Sequence, residues 1–593
     1  MLGDALTVEH SFSGLAWRPR LEDGREALML AQTLNLPEVV GRALAARGVG
    51  PEDAGRFLNP LLRDELPDPG HLKDMDAAAR RLADAVEGGE GIAVFGDYDV
   101  DGATSSAVLA RFFRALGQEI ECYIPDRMKE GYGPNAGAMV GLGARGAAVV
   151  ITVDCGISAF EPLEAARAAG IDVVVVDHHV AESRLPPAFA VINPNRLDEE
   201  SPHKQLAAVG LAFLLAIAIN RELRARGFYR LRPEPDLMGL LDLVALGTVC
   251  DQVRLTGVNR ALVAQGLKVM AGRANTGLRA LADVAGLDAR PEAWHLGFLL
   301  GPRINAGGRV GRAGLGARLL ATDDAAEAQL LARELDALNA ERREIEAAVL
   351  AEALAQAEPR EGDNGGPGLV FVSGPGWHPG VIGIVASRLN DRLHRPACVA
   401  GIEGGIARGS GRSIPGIDLG AAVIAARQEG LLINGGGHAM AAGFTVAADR
   451  LGELEAFLAA RVDAQQAERG AEVGRVLYHD GVLSVGGATP DLAEEIKMLG
   501  PFGQGNAEPR FVLPAVRIGK AEVVGGNHVR LFVGGRDGVR IKAMCFRAAG
   551  EPLGRGLLEA GGLPVHLAGK LRIDDWQGRH GVQFLVDDAA PVS

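Results

Sequence analysis

The sequence predicts an α/β fold: a parallel-sheet domain and a smaller α/β domain joined by a long helix, followed by a β-barrel. Three observations predict it. Between about 75 and 255, apolar runs at 92–95, 147–153 and 173–176 alternate with Ala-rich helical stretches, the pattern of βαβ units on a parallel sheet. Residues 323–356 are dominated by Ala, Leu and Glu with no Pro or Gly, which predicts one long helix. From 474 to 590 short alternating runs (529–533, 539–543, 565–569) are separated by Gly-rich turns, which predicts a small barrel or sandwich.

The elements follow in order. Residues 1–74 hold Pro-punctuated helical segments at 37–47 and 51–57, expected to pack on the first domain, which spans 75–320. Within that domain a helix is expected over 103–116, and a helical region over 258–299. The glycines of 301–309 (GPRINAGGR) predict a loop. The connecting helix occupies 321–360, the second α/β domain 361–465 and the barrel 470–593. The stretch 361–368 is Gly-, Asp- and Asn-rich, as linkers are.

A chain of 593 residues is too long for one domain. Hydrophobic residues make up 48% and charged residues 23%, which is ordinary for a soluble protein. No run of 18 apolar residues predicts a membrane span, and the first residues do not read as a signal peptide. Five scattered cysteines form no CxxC pair, which argues against a disulfide framework or a zinc site and for the cytoplasm. The net charge of −14 does not advertise a nucleic-acid binder, whose footprint is usually basic. A metal site built from carboxylates is itself acidic, however, and bound cations reverse the local field.

The densest chemistry is Asp97-Tyr98-Asp99-Val100-Asp101-Gly102, directly after the apolar run 92–95. Carboxylates this close raise one another's pKa unless a cation sits among them. Three further clusters are expected at strand ends: Asp154 after 147–153, Asp177-His178-His179 after 173–176, and Asp251 after Gly247-Thr248-Val249-Cys250. Ligands of open α/β sheets sit at the carboxyl ends of strands. Carboxylates with one or two imidazoles suit Mn²⁺ or Mg²⁺ rather than zinc, and two neighbouring ions sharing a carboxylate make a phosphoester-cleaving site. Taken singly, Asp154 reads equally well as a helix cap. Asp177 reads as a cap or, preferably, as a residue orienting a neighbouring imidazole.

In this order and spacing, DYDVDG, VDCG, DHH and GTVCD resemble motifs I to IV of the DHH phosphoesterase superfamily. Further segments are similar to the RecJ family of single-strand-specific 5′→3′ DNA exonucleases: 123–133, 301–309, 338–343, 376–383, 409–413, 435–444 (the GGGH signature of a DHHA1 domain) and 501–506 (the entrance to an OB-fold). The resemblance covers about 30 to 590. It implies that Asp97, Asp99, Asp101, Asp154, His178 and Asp251 hold two Mn²⁺ ions, with Mg²⁺ as the alternative. It places Asp154, His178, His179 and Asp251 at the catalytic centre, His179 either ligating metal or contacting phosphate.

Gly436, Gly437 and His438, together with Ser410, Arg412 and Ser413, are then candidates for gripping the DNA backbone from the second domain. Backbone N–H groups in a Gly triplet can approach a phosphate closely, although a triplet alone also suits a tight turn. Arg127, Arg303, Asn305 and Arg309 are candidates for DNA or a terminal 5′-phosphate, with ordinary surface pairing as the alternative for the arginines. The barrel would hold the single strand, most of its aromatics lying in the core. The implied partners are single-stranded DNA, a single-strand-binding protein and a recombination helicase; no membrane is involved and a monomer is expected. The rival readings are a phosphodiesterase for cyclic dinucleotides or very short oligonucleotides, and a non-catalytic replication scaffold of the same fold.

Overall fold

The computed structural model describes residues 6–126, 130–131, 133–357, 368–469, 476–574 and 581–592. The first sheet has five parallel strands in the order Glu121–Tyr123, Gly91–Gly96, Ala147–Val153, Asp172–Val176, Ala190–Ile192. Its central strands are apolar along their length because helices bury both faces. Val94, Ile151 and Val174 face a core built with helices Val100–Ala115, Ala208–Ala225 and Leu241–Cys250. Phe95, Val150 and Val175 face a second core under helices Ala136–Ala144 and Phe160–Ala168.

Two local expectations need correction. Segment 301–309 is not a loop but helix Gly301–Val310, entered through a π-helical turn at Leu296–Leu300. Its glycines serve close packing rather than a turn: a Cβ on Gly308 would lie 3.0 Å from the Tyr98 carbonyl oxygen. Asp251 does not follow a strand; it caps the C-terminus of helix Leu241–Cys250. That helix is buried almost all round, so its apolar run carries no period to separate it from a strand.

The connecting helix runs unbroken over Ala325–Ala357, about 50 Å at 1.5 Å per residue. The second sheet is mixed, in the order Asn434–His438, Ala441–Ala447, Ile406–Arg412, Ala397–Glu403, Val370–Pro375. The expected linker, apart from Gly368, lies outside the described residues. In the barrel, strands Phe511–Val524, His528–Gly534, Arg540–Cys545, Gly581–Pro591 and Pro564–Asp574 pair in turn, and the last pairs back with the first. Strand Gly481–Val482 adds to Phe511–Val524.

The N-terminal segment brings a third correction. Leu30, Val40 and Leu44, from helices Arg25–Leu34 and Glu38–Ala45, share the barrel's core with Leu483, Phe511, Leu531 and Leu567. Strand Ala16–Pro19 pairs in parallel with Val476–His479. The main core of this segment therefore lies with the barrel and not, as expected from chain order, with the first domain. No described helix is long and apolar enough to cross a membrane.

Candidate metal centre

Three parallel strands end at one edge of the first sheet and deliver Asp97, Asp154 and Asp177 in a row. Asp97 follows Gly91–Gly96, and its backbone N–H donates to the Val153 carbonyl. Asp99 caps helix Val100–Ala115, accepting from the N–H groups of Asp101 (2.8 Å) and Gly102 (3.1 Å). The turn needs Gly102, where a Cβ would sit 2.4 Å from the Asp97 carbonyl oxygen. Asp101, fully buried, accepts from the backbone N–H of Ala208 (2.7 Å) and of Val209 (2.9 Å), the start of helix Ala208–Ala225. A helix N-terminus is a favourable place for a carboxylate.

Asp154 adopts φ +60°, a left-handed conformation that Asp and Asn tolerate better than most residues. Its Oδ1 lies 3.2 Å from His178 Nε2, and the same nitrogen is 3.6 Å from Asp251 Oδ2. Asp251 Oδ2 is buried and has no hydrogen-bond partner among the described residues. Asp177 spends its oxygens on the chain beside it. Its Oδ1 accepts from His178 N (2.7 Å), His179 N (3.1 Å) and His179 Nδ1 (2.7 Å), and its Oδ2 from Ile157 N (3.0 Å). In the neutral ring with its proton on Nδ1, that bond puts the lone pair on His179 Nε2.

Seven side chains thus form three overlapping donor sets: Asp97–Asp99–Asp154, Asp154–His178–His179 and Asp101–His178–Asp251, the donor atoms of each lying within 4.8 Å of one another. The electrostatics show what the cluster lacks. Burial, reinforced by the neighbouring carboxylates, pushes Asp101 up to about 7 and Asp251 to about 9, and holds Asp154 well above the ordinary carboxylate range. Burial and the adjacent His179 depress His178 to about 4, so its imidazole is neutral. His179 is raised despite its burial, through Asp177, and Asp177 is held low against its own burial by His179. The carboxylates are short of positive charge. Hard oxygen donors with neutral imidazole suit Mn²⁺ or Mg²⁺, and the residues fit such ions.

A chain of contacts leads from this centre to the second sheet. Gly308 packs on Tyr98, within the first motif. One residue on, Arg309 donates to the Gly380 carbonyl (3.1 Å) at the start of helix Pro379–Leu393. Gly383 of that helix approaches Ser410 and Arg412. Strand register then places Arg412, Ala441 and His438 in one row across three strands, Ser410, Gly443 and Gly436 in the next, and Arg408, Thr445 and Asn434 in a third. All point to the open face, while Ala407, Gly409, Gly411, Ala442 and Phe444 point into the core. The floor of the face is glycine, its rim is cationic, and no acid stands in these rows.

Other candidates fall elsewhere. Ser413 is buried, its hydroxyl donating to Ile417 O (2.7 Å), so it anchors a turn and is not on the face. Gly437 belongs to the strand but alternates away from His438 and Gly436. Arg303 is committed to Asp336 (2.9 Å) and Leu299 O, the surface-pairing alternative. Asn305 is half-buried one helical turn before Arg309. Arg127 lies outside the described residues, as does Trp576 of the barrel. Phe532 and Phe546 are exposed, against the expectation that most barrel aromatics are core. Sequence reasoning missed Arg408, Lys520 as the neighbour of Phe532, and the backbone N–H pair that holds Asp101; alternation in the Arg408-Gly409-Ser410-Gly411-Arg412 run was the available signal.

Comparison with known proteins agrees with this layout. Residues 91–248 match the DHH family N-terminal domain, 365–464 the DHHA1 domain and 479–588 the RecJ OB domain. The single-stranded-DNA-specific exonuclease RecJ of Dickeya dadantii (strain 3937) is 38% identical over 587 residues, covering 94% of this chain and 97% of the relative. The chain belongs to the RecJ family. Among solved structures, RecJ from Thermus thermophilus in complex with Mn²⁺ aligns with a TM-score of 0.79 and 31% identity, over 97% of this chain and 79% of that one. The same RecJ in complex with Mg²⁺ aligns at 0.75 and 30%, over 97% and 78%. The RecJ fold accounts for the order of the three domain matches along the chain.

Proposed function

We propose that this RecJ-family chain is a divalent-metal-dependent exonuclease that degrades single-stranded DNA from its 5′ end and releases 5′-mononucleotides. One observation carries the reading: three overlapping carboxylate donor sets, two of them with imidazoles, gathered at the edge where the parallel strands end and joined by direct contacts to an exposed cationic sheet face. Asp97, Asp99 and Asp154 would hold one ion, and Asp101, His178 and Asp251 a second. Mn²⁺ is the expected ion and Mg²⁺ the alternative. Bound there, such ions supply an acidified water and neutralise charge on the in-line transition state.

The chain's own residues do the rest. Asp177 locks His179 through Nδ1, so that Nε2 is presented either to metal or to a phosphate oxygen. Arg412, Ser410 and His438 donate to phosphate oxygens, and the glycine row lets the backbone come close. Asn305 and Arg309, beside the first motif, meet the 5′ end. In the barrel, exposed Phe532 stands in a row between Lys520 and Lys542, which pair with Glu522 and Asp574 (2.8 Å each), and its ring is the stacking candidate there. The chain acts as a monomer, with a single-strand-binding protein and a recombination helicase as protein partners.

The test uses 5′-labelled single strands and blunt duplexes with Mn²⁺. Early release of the label as mononucleotide from the single strand, an intact duplex and full loss of activity in chelator are expected. Equal digestion of the duplex, or late release of the label, overturns the strand or polarity assignment.

A further inference from the structure

The strand beside the histidines ends in a motif that no role above uses, Asn193-Pro194-Asn195. Strand Ala190–Ile192 pairs in parallel with Asp172–Val176, and Ile192 stands beside Val176. The Asp177 N–H donates to the Ile192 carbonyl (3.1 Å), so the two chains leave the sheet edge side by side. Pro194 fixes its own φ and restricts Asn193 toward the extended region, which limits how the two amides can be spaced.

Each amide then has its orientation set. Asn193 is fully buried. Its Oδ1 accepts from the Asn195 N–H (2.7 Å) in an Asx-turn, which aims its Nδ2 at the His179 carbonyl (2.9 Å). Asn195 Nδ2 donates twice, to the His178 carbonyl (2.6 Å) and to the Lys204 carbonyl (3.1 Å). A turn alone would need only the Asn193 oxygen.

The His178-His179 peptide is thus gripped on both sides. Asp177 Oδ1 takes its two N–H groups, and Asn193 and Asn195 serve its two carbonyls. The bond to Lys204 extends the grip. Two residues on, the Leu206 backbone hydrogen-bonds the His178 imidazole. Just beyond it, the N–H groups of Ala208 and Val209 hold Asp101. Asn195 therefore ties down the backbone of His178 and also the segment that holds its ring.

We propose that Asn193 and Asn195 are positioning residues for the metal centre, setting where the two imidazoles stand before an ion arrives. The inference rests on the proposed function, in which His178 meets a divalent ion. Groups that orient a metal ligand without touching the metal typically cost about 10–100-fold in affinity when lost.

The test is calorimetric titration of Mn²⁺ into the full chain without DNA, in N193L, N195L and a matched control, N390L. Leu has the branched shape of Asn without its polar atoms or any charge. Asn390 Nδ2 also serves two carbonyls, of Arg395 (2.8 Å) and Ser413 (3.2 Å), but in the second domain. N193L and N195L are expected to bind Mn²⁺ about tenfold or more weakly than wild type, and N390L within about twofold of it. On oligo(dT), kcat should fall in N195L while KM stays within about threefold. N195S, which keeps one donor, should bind with intermediate affinity and takes the place of N195L if that variant does not fold. Mn²⁺ affinities equal to wild type in N193L and N195L refute the proposal. An equal loss in N390L also refutes it, because a general loss of stability would then suffice. So does a raised KM with unchanged kcat, since the asparagines would then shape the DNA path. If the wild type itself binds no Mn²⁺, the proposed function falls instead.

Discussion

Asp177→Asn isolates the residue that holds the imidazoles without touching the donor sets. The carboxylate accepts four hydrogen bonds, three on Oδ1 and one on Oδ2. An amide has one acceptor oxygen. Kept toward the histidines, it preserves three bonds and turns its NH₂ on the Ile157 N–H, donor against donor; flipped, it loses three. The first arrangement wins and costs one charge-assisted bond, about 1.5–3 kcal/mol of stability. Weakening the bond to Nδ1 also loosens the imidazole, and removing such an outer partner costs about 10–100-fold in metal affinity, about 1.4–2.8 kcal/mol. Mn²⁺ titration calorimetry and urea unfolding in chelator read the two effects separately. Destabilisation with unchanged Mn²⁺ affinity would reduce Asp177 to a structural brace. A variant unaltered in both would refute the hydrogen-bond account.

Four further outcomes are expected. Asp154→Asn keeps the left-handed turn, which Asn tolerates, and removes the charge; cleavage should fall by more than about a hundredfold while oligo(dT) binding in chelator stays within about threefold. Metal-free protein should lose stability as pH rises from about 6.5 to 9: Asp101 (about 7) and Asp251 (about 9) keep in the folded state protons that unfolding releases, and the raised His179 acts in the same direction, so urea midpoints that hold or rise would contradict the buried-carboxylate picture. Arg412→Ala should lower the slope of log affinity against log salt by about 0.7, one phosphate contact on a single strand, and an unchanged slope would remove Arg412 from the DNA path. Gly436 has nothing within 4 Å of a built Cβ and is not at positive φ, so Gly436→Val should leave the melting temperature near wild type while oligo(dT) affinity falls about tenfold; unchanged affinity would show that backbone approach there is dispensable.

What the sequence discloses follows physical range. The strands 92–95, 147–153 and 173–176 are legible because a parallel sheet buried on both faces must be apolar throughout, and the carboxylates at their ends are legible as a group, because helix caps explain each one singly but not their recurrence at successive strand ends. The connecting helix announces itself by composition. Segment 301–309 misleads because its glycines answer to Tyr98, Cys250 and Leu315, neighbours in space that no local rule contains. Asp251 reads as a strand end because a helix buried all round shows no period. The N-terminal helices are misplaced by chain order because their partners lie more than 400 residues away. Ser413 carries the same polarity as Ser410, but the strand ends between them, so one hydroxyl faces the open side and the other faces a carbonyl inside.

The net charge of −14 would repel a polyanion if it were spread evenly, and its placement decides the matter. Asp97, Asp99, Asp101, Asp154 and Asp251 crowd one sheet edge, where a phosphate could not approach without cations. The open face of the second sheet carries Arg408, Arg412 and His438 with no acid in its three rows. Two divalent ions would set four positive charges against five carboxylates at the first place, while the second needs none. Metal and DNA should therefore couple at one end of the path only. Stripping the metal removes attraction at the scissile phosphate and leaves the grip of the sheet face and barrel intact, so chelator should abolish cleavage far more completely than binding. A site in which both were lost together would have to hold the strand through the metal alone, and the cationic face would then have no part in it.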